Sequence, residues 1–342
     1  MEYNIDILVA GCNTTCNHCY VNGGKAPSME LEDFLCCINK LKPVFSHLGD
    51  KVSFTLDNEI YNHPSACEIL EVVERECAKN YYHHGSTTGI AILKHPQRQV
   101  IFEVLKRNNW LDVSFAIHGG RSSHNKMVHN EDGMDAILAA SRMFKEHGFE
   151  VNISLMLSKA FGNELEEIDE LLKQIPYDRV LPVIPDFYPT ARLMKYQDIR
   201  CNVEDYEKIL EFLEARNIDT SELKYAIKTY NEEAIITQLN AELVQKQLNE
   251  NETAFFHIDQ KLNFYVGNTG ATQKCCGNLK ECSSEEIISW IVDSKDNYYE
   301  TETIHYEDIL KAILEKELQI SIENYVYPNR IAAIIAMIQN RK

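Results

Sequence analysis

The sequence IDILVAGCNTTCNHC, residues 5–19, joins an apolar run to a loop that carries three cysteines. The run at 5–10 predicts a buried strand, and the cysteines follow it directly. Cys12, Cys16 and Cys19 have the spacing C-x3-C-x2-C. Three thiols so close together, on a loop that leaves the end of a strand, can converge on one metal centre. Soft thiolate ligands suit either zinc or an iron–sulfur cluster.

Spacing alone leaves the identity of this metal centre open. A 4Fe–4S cluster has four irons, so three cysteines leave one iron for a remote ligand or for a bound substrate. A structural zinc site needs a fourth ligand, which His18, Cys36 or Cys37 would supply. Zinc modules usually show two paired clusters of ligands, and no matching pair lies near this loop. The pattern therefore favours an iron–sulfur cluster.

Short apolar runs alternate with amphipathic helical stretches as far as about residue 195. Besides 5–10, the predicted strands cover 51–56, 87–92, 112–117, 150–157 and 180–184. Strands that alternate with helices form βαβ units, and therefore a largely parallel sheet or barrel. Six such repeats predict either a partial barrel or a doubly wound sheet.

The pattern changes after residue 202. It predicts charged helices within 204–247, a β-hairpin at 254–266 with its turn at 259–261, a loop to 281, and helices at 284–293, 306–317 and 328–339. We therefore divide the chain into a first domain, residues 1–200, and a C-terminal α+β cap, residues 201–342.

Charge and composition exclude several classes of partner. The 342 residues include 52 Asp and Glu against 34 Lys and Arg, so the formal net charge is −18. A polyanion would be repelled by most of this surface, so we expect no nucleic-acid partner and no anionic membrane partner. No run reaches the ~18 apolar residues of a membrane helix, and the N-terminus lacks the basic residues of a secretory signal. We expect a cytoplasmic protein whose thiols stay reduced.

The cysteine loop resembles that of the radical S-adenosylmethionine (SAM) enzymes, which carry C-x3-C-x2-C at the end of their first strand. An aromatic residue precedes their third cysteine, and here that position is His18. The resemblance implies a partial (β/α)6 TIM-like barrel in which Cys12, Cys16 and Cys19 bind one 4Fe–4S cluster. The open iron would bind SAM, and an electron from the cluster would release a 5′-deoxyadenosyl radical that abstracts hydrogen from the substrate. An electron donor such as flavodoxin or ferredoxin is implied as well.

The segment after the second predicted strand extends this resemblance. Family members have a Gly-Gly-Glu motif there, which holds the amino group of SAM. This chain has Asp57, Asn58 and Glu59, so only the acid matches the motif. The resemblance implies that Glu59 pairs with the SAM ammonium, and that Asp57 and Asn58, together with Asn17 and His18 of the cysteine loop, also contact the cofactor.

Polar residues on the fourth and fifth predicted strands complete the candidate cofactor site. Ser114 and His118 are four residues apart, and Asn152 and Ser154 are two apart, so each pair can share one face of a strand. The resemblance implies that side chains on these strands hold the ribose and carboxylate of SAM. For each of them a purely structural hydrogen bond is the alternative.

The C-terminal third resembles a SPASM or twitch domain, which begins with a hairpin and often binds auxiliary clusters. The cysteine that normally ends the hairpin is missing here. Cys275, Cys276 and Cys282, with the distant Cys201, could hold a second cluster, but adjacent thiols diverge in an extended chain. We expect a degenerate cap without a cluster, which closes the mouth of the barrel.

Some radical enzymes use a cysteine or a tyrosine to return a hydrogen atom or to donate a proton. Cys201, Cys275, Cys276 and Tyr188 are the candidates here. Nothing in the sequence selects among them.

The substrate is expected by elimination to be a small molecule. Family members that modify ribosomal peptides often carry an N-terminal module that recognises a leader peptide, and the cluster loop here begins at residue 12. The acidic surface disfavours tRNA. We therefore expect a sugar, a nucleoside or an amino-acid derivative, with peptide modification as the main alternative. A non-catalytic, zinc-stabilised binding protein is the alternative from another class.

Overall fold

The computed structural model describes residues 2–17, 19, 23–185, 200–202, 204–228, 253–267 and 274–297. The strands are β1 (Glu2–Leu8), β2 (Val52–Asp57), β3 (Asp112–Ile117), β4 (Glu150–Met156), β5 (Arg179–Val183), β6 (Thr253–Ile258), β7 (Asn263–Val266) and β8 (Lys274–Asn278). The helices are α1 (Leu31–Leu48), α2 (Ala66–Cys77), α3 (Ile90–Lys94), α4 (Arg98–Arg107), α5 (Arg121–Val128), α6 (Gly133–Glu146), α7 (Lys159–Asn163), α8 (Leu165–Gln174), α9 (Tyr206–Glu214), α10 (Ser221–Lys228) and α11 (Ser284–Asn297).

Parallel pairing connects the strands of the first domain. β1 pairs with β2, and β3 pairs with β4, which pairs with β5. Between β2 and β3, single parallel bridges join Phe54 to Tyr81 and Ser86 to Ser114, so the segment 81–86 occupies the position of a third strand. The result is an open α/β sheet system of the partial-barrel type, which confirms the expected fold class.

The predicted strand at 87–92 is wrong, because helix α3 begins at Ile90. Gly89 before it has φ 77°, and a Cβ there would lie 2.9 Å from the Cβ of Ala140, so α3 can approach α6 closely only at a glycine. The third strand position lies instead at 81–86, where no apolar run marks it.

Along β1, side chains alternate between an outer face that packs against the helices and an inner face that lines the barrel interior. Tyr3, Ile5 and Ile7 of β1 are buried in the core beneath the helices, whereas Asn4 and Asp6 face the barrel interior and line a cavity there. Successive side chains of a strand point to opposite faces. β1 therefore presents apolar residues to the helices and polar residues to the cavity.

The C-terminal hairpin is present as predicted, but it lies beside the barrel. β6 pairs with β7 in antiparallel fashion, and its other edge pairs with β1 in parallel, giving the strand order β2-β1-β6-β7-β8. The hairpin itself therefore continues the sheet laterally, and a cap that closes the mouth of the barrel stays a prediction. Phe255 of β6 still reaches the cavity wall. The domain division at residue 200 stays a prediction, and Tyr188 and the helices predicted at 306–317 and 328–339 fall outside the described residues.

Within the part of the chain that the structure describes, no helix combines the length and the apolar character needed to cross a membrane.

Candidate functional site

A cavity of about 650 Å³ extends from the cysteine loop into the barrel interior. Carboxyl ends of parallel strands meet at this face, which is where enzymes built on such barrels place their reacting groups. The cavity brings together eight of the residues predicted from the sequence: Cys12, Cys16, Cys19, Asp57, Asn58, Glu59, Ser114 and Ser154.

The base of the cysteine loop is fixed by close backbone contacts. A Cβ at Gly11 would lie 2.5 Å from the backbone nitrogen of Ala26 and 2.5 Å from the carbonyl oxygen of Gly24, so only glycine fits. The backbone N–H of Cys12 donates a hydrogen bond to that same oxygen, with 2.7 Å between the atoms. Asn62 Nδ2 donates to the carbonyl of Gly11 at 3.1 Å. These contacts hold the start and the end of the loop together.

Polar groups surround the three thiols. Thr14 Oγ1 lies 3.1 Å from Cys12 Sγ and 3.3 Å from Cys16 Sγ, and the backbone N–H of Gly23 donates to Cys19 Sγ at 3.0 Å. Burial raises the pKa of the Cys12 thiol, and it raises the pKa of Cys16 to about 12. Thiols in such surroundings become thiolates when a metal cation compensates the charge. The N–H group of Gly23 is of the kind that stabilises a ligating sulfur.

The arrangement of the thiols fits a multi-iron cluster better than a single zinc ion. Among the described residues, no three His, Cys, Asp or Glu side chains lie close enough together to hold one metal ion. His18, the proposed fourth zinc ligand, lies outside the described residues. The thiols instead line one end of a cavity far larger than one ion needs. The residues present therefore suit a cluster that has free space beside it.

Glu59 is the best-anchored polar side chain in the cavity. It is 1 % exposed, and its carboxylate accepts hydrogen bonds from Thr87 Oγ1 (3.0 Å to each oxygen), the Thr88 backbone N–H (2.8 Å) and Thr88 Oγ1 (2.9 Å). Burial raises the pKa of Glu59, and these hydrogen bonds oppose that shift. The backbone N–H of Tyr61 also donates to this carboxylate. Thr87 and Thr88 were not predicted as site residues, although two threonines before a glycine at a strand end were a usable signal.

Asn58 occupies the position of the second glycine in the Gly-Gly-Glu motif. Its backbone conformation explains why asparagine can replace glycine there. Its φ is 67°, a left-handed conformation that asparagine tolerates better than most residues. Asn58 Oδ1 is buried without a hydrogen-bond partner. A Cβ on Gly23 would lie 3.2 Å from that oxygen and 3.2 Å from Cys19 Sγ, so the amide of Asn58 lies beside the cysteine loop. Asp57 accepts from the Asn58 backbone N–H at 2.7 Å, and burial raises the pKa of Asp57.

The site residues predicted on the fourth and fifth strands of the barrel, which the structure shows as β3 and β4, divide into two groups. Ser114 and Ser154 line the cavity with their hydroxyl oxygens 3.3 Å apart. His118 is 1 % exposed, and its ring stacks on His124 with 5.4 Å between centroids, outside the cavity lining. Asn152 also lies outside the lining, with its Oδ1 buried and unpartnered. Cofactor contacts of His118 and Asn152 stay predictions that this geometry does not support.

Asn17 attaches the cysteine loop to helix α5. Its backbone N–H donates to the carbonyl of Met127 at 3.1 Å, and its Oδ1 lies 2.8 Å from His129 Nε2. Asn17 is absent from the residues that line the cavity. Its position therefore suits a role in holding the loop rather than in touching a cofactor.

The three described candidates for hydrogen return do not line the cavity. Cys201 is buried in the core, Cys275 is exposed and Cys276 is half-buried. Tyr188 lies outside the described residues. A catalytic role for any of them stays a prediction.

Sequence reasoning missed the residues that face the inside of the barrel, of which Asp6 is the most notable. Asp6 lies within the apolar run of β1 and accepts a hydrogen bond from Thr55 Oγ1 at 2.8 Å. His84, on the segment that replaces the third strand, also lines the cavity. Alternation of a charged residue with apolar ones in 5–10 was the available signal.

Comparisons with known proteins agree with this geometry. The family model described as the Radical SAM superfamily matches residues 7–175. No curated protein matches the chain. Among solved structures, anSMEcpe with bound AdoMet and a Cp18Cys peptide is similar with a TM-score of 0.57 and 14 % identity, over 100 % of both chains. SuiB of Streptococcus suis bound to its precursor peptide SuiA has a TM-score of 0.50 and 12 % identity, over 97 % of this chain and 76 % of that one. At such identities the likeness shows the fold alone.

Proposed function

The chain belongs to the radical SAM superfamily of enzymes, and we propose that it modifies a peptide substrate. The observation that carries this proposal is the full-length likeness to anSMEcpe, a protein whose structure contains a bound peptide. That likeness covers 100 % of both chains. It supports the peptide alternative over the small-molecule substrate, which was expected only by elimination.

We assign cofactor binding to the end of the cavity that is lined by the cysteine loop and Glu59, which we call its upper end. Cys12, Cys16 and Cys19 would hold the cluster, and Glu59 would accept hydrogen bonds from the SAM ammonium. When bound, the cluster supplies the electron that cleaves SAM to the 5′-deoxyadenosyl radical. Glu59 is oriented for its task by Thr87, whose hydroxyl lies 3.0 Å from both carboxylate oxygens.

The free edge of β5 supports access for an extended peptide. β5 pairs with β4, and no other described strand pairs with its second edge. Leu181 is 50 % exposed there, and a hollow of about 570 Å³ lies between β5 and α10. Val183 and Ile184 line both this hollow and the main cavity. Extended peptides commonly add to such edges by backbone hydrogen bonding, which would bring a peptide side chain to the reacting end.

The cofactor part of the proposal is tested by anaerobic reconstitution with iron and sulfide. We expect a brown protein that releases 5′-deoxyadenosine from SAM when dithionite supplies electrons. Replacing Cys12, Cys16 and Cys19 together by alanine abolishes this release, whereas Cys67→Ala, at a thiol of α2 that does not line the cavity, leaves it unchanged. A colourless protein that binds one zinc and never releases 5′-deoxyadenosine would support the zinc-stabilised binding protein instead.

The substrate class is tested by deuterium transfer. The reconstituted enzyme is incubated with SAM, dithionite and one of two fully deuterated pools from cell extract, either peptides or low-molecular-weight metabolites. The 5′-deoxyadenosyl radical takes a carbon-bound deuterium from the substrate. Mass spectrometry detects the deuterated 5′-deoxyadenosine that results. Label from the peptide pool alone supports the proposal, and label from the metabolite pool alone contradicts it.

A further inference from the structure

The interior of the barrel carries polar side chains on β1, β2 and the segment 81–86, beside apolar ones such as Met156 and Phe255, whereas parallel barrels usually pack bulky apolar side chains there. Asn4 and Asp6 of β1, Thr55 of β2, and Tyr82 and His84 of the segment 81–86 all line the cavity. Asn4, Asp6 and Thr55 lie on strands inside the barrel, and Tyr82 and His84 are exposed side chains that line the same cavity. The cavity therefore combines apolar walls with a few hydrogen-bonding groups, which is the composition of a binding pocket.

Charge among the described residues of this interior part is negative. Asp6 and Asp57 are its carboxylates, and none of the described residues that line the cavity is a lysine or an arginine. Burial lowers the pKa of His84, so the imidazole is neutral at pH 7 and supplies no compensating charge. A cationic ligand would be stabilised here, because burial without a counter-ion is unfavourable for a carboxylate.

Asp6 is the carboxylate that remains available to a substrate. Its carboxylate accepts a hydrogen bond from Thr55 Oγ1 at 2.8 Å. Burial, with the nearby charge of Asp57, raises the pKa of Asp6 to about 6, and the opposing effects of Thr55 and His84 are smaller. Glu59, by contrast, is held by Thr87 and Thr88 at the upper end of the cavity, where SAM is assigned.

Position along β1 sets the length of the group that reaches Asp6. Asp6 precedes the strand end, Leu8, by two residues, which corresponds to a depth of about 7 Å at the usual rise per residue. A group held at Asp6 must therefore extend several bonds upward before it reaches the level of the thiol loop. Lysine carries an ammonium on a flexible four-carbon stem, which matches both the charge and the reach.

We propose that Asp6, with Thr55 and His84 beside it, binds the ammonium group of a lysine side chain in the substrate. This inference rests on the proposed peptide substrate. The ammonium of lysine has three donors and no acceptor, which suits a pocket that presents a carboxylate, a hydroxyl and a neutral imidazole. The carbon atoms of the stem then lie between Asp6 and the upper end of the cavity.

The test compares two synthetic pentapeptides on the reconstituted enzyme with SAM. One is acetyl-Ala-Ala-Lys-Ala-Ala-amide, and the other replaces lysine by norleucine, which keeps the stem without the amine. We expect calorimetry to show tighter binding of the lysine peptide to the wild type. Asp6→Asn weakens that binding by about 10- to 100-fold, since a charged hydrogen bond is lost, and leaves the norleucine peptide unchanged. The control Asp135→Asn removes an exposed carboxylate paired with Arg121 and keeps the wild-type preference.

Equal discrimination between the two peptides by the wild type and by Asp6→Asn would overturn the assignment. The wild type alone gives a second test that does not depend on folding of the variant, because acetylation of the lysine removes its charge and should reduce binding to the norleucine level. Unchanged binding of the acetylated peptide also overturns it. Release of 5′-deoxyadenosine without peptide reports separately on the cluster and SAM, so its absence in the wild type counts against the proposed function and not against Asp6.

Discussion

Replacement of Glu59 by glutamine is the sharpest test of the cofactor site, because it removes one charge and almost no volume. In the wild type, Oε2 accepts from the Thr88 backbone N–H at 2.8 Å and from Thr88 Oγ1 at 2.9 Å. A glutamine can direct its own carbonyl oxygen to these two donors. Its NH2 group then takes the position of Oε1, where Thr87 Oγ1 can reverse its role and accept. The substitution therefore preserves the hydrogen bonds with Thr87 and Thr88.

The expected loss falls on SAM affinity. A hydrogen bond that involves a charged group contributes about 1.5–3 kcal/mol, so the dissociation constant of SAM should rise by about 10- to 150-fold. Equilibrium dialysis with labelled SAM on reconstituted protein measures this, while the iron content per chain should stay at the wild-type level. Glu74→Gln is a matched control, because Glu74 lies at the surface and pairs with Arg107.

Two results would refute this reasoning. A dissociation constant equal to that of the wild type means that Glu59 does not contact the ammonium of SAM. A parallel loss of iron and SAM means that the carboxylate supports the fold of the cysteine loop. The second outcome would assign the buried hydrogen bonds of Glu59 to structure.

Three further substitutions test other residues of the cavity and of the cysteine loop. Thr87→Val removes the hydroxyl that donates to Glu59 and should weaken SAM binding about 5-fold, in line with the loss of one neutral hydrogen bond; unchanged affinity by dialysis would contradict a positioning role. Gly11→Ala places a Cβ 2.5 Å from the Ala26 nitrogen, so the loop base must open, and iron content after reconstitution should fall well below that of the wild type. Asp6→Asn should raise the free energy of unfolding of the ligand-free protein at pH 7 by about 1–3 kcal/mol. The reason is that the pKa of Asp6 is raised to about 6 in the folded protein, so the wild type loses stability as pH rises from about 4 to 6. Urea unfolding at pH 4 should show little difference between the two proteins, and an equal gain at both pH values would be inconsistent with this titration.

The first strand and its cysteine loop were predictable because their information is local. A short apolar run and a fixed cysteine spacing define β1 and the thiols without reference to the rest of the chain. Glu59 was predictable by resemblance, since it follows β2 directly. The third strand position was not predictable, because Tyr82, His84 and Ser86 face the cavity and leave no apolar run in 81–86. Hydrophobic periodicity detects strands that are packed on the core, and it fails for a segment joined to its neighbours by single bridges.

The pairing of β6 with β1 could not be predicted from the sequence either, for a different reason. The hairpin itself is local and was predicted, but its partner lies about 250 residues earlier in the sequence. No turn residue or periodicity encodes which sheet edge a distant hairpin joins. The open edge of β1 is filled because unpaired backbone groups at a sheet edge are unfavourable when they are buried.

The buried polar groups of the cavity point to the same conclusion as its shape. Asn58 Oδ1 has no partner, and Asp6 keeps a raised pKa among carboxylates. An unsatisfied buried polar atom costs about 1–3 kcal/mol, and a protein without a ligand gains nothing from keeping one beside a carboxylate-lined cavity. Apolar side chains at these positions would pack the interior and stabilise the fold, as they do in other parallel barrels. The polar lining is therefore best explained by ligands that supply the missing donors, with SAM at the upper end and a cationic group beside Asp6.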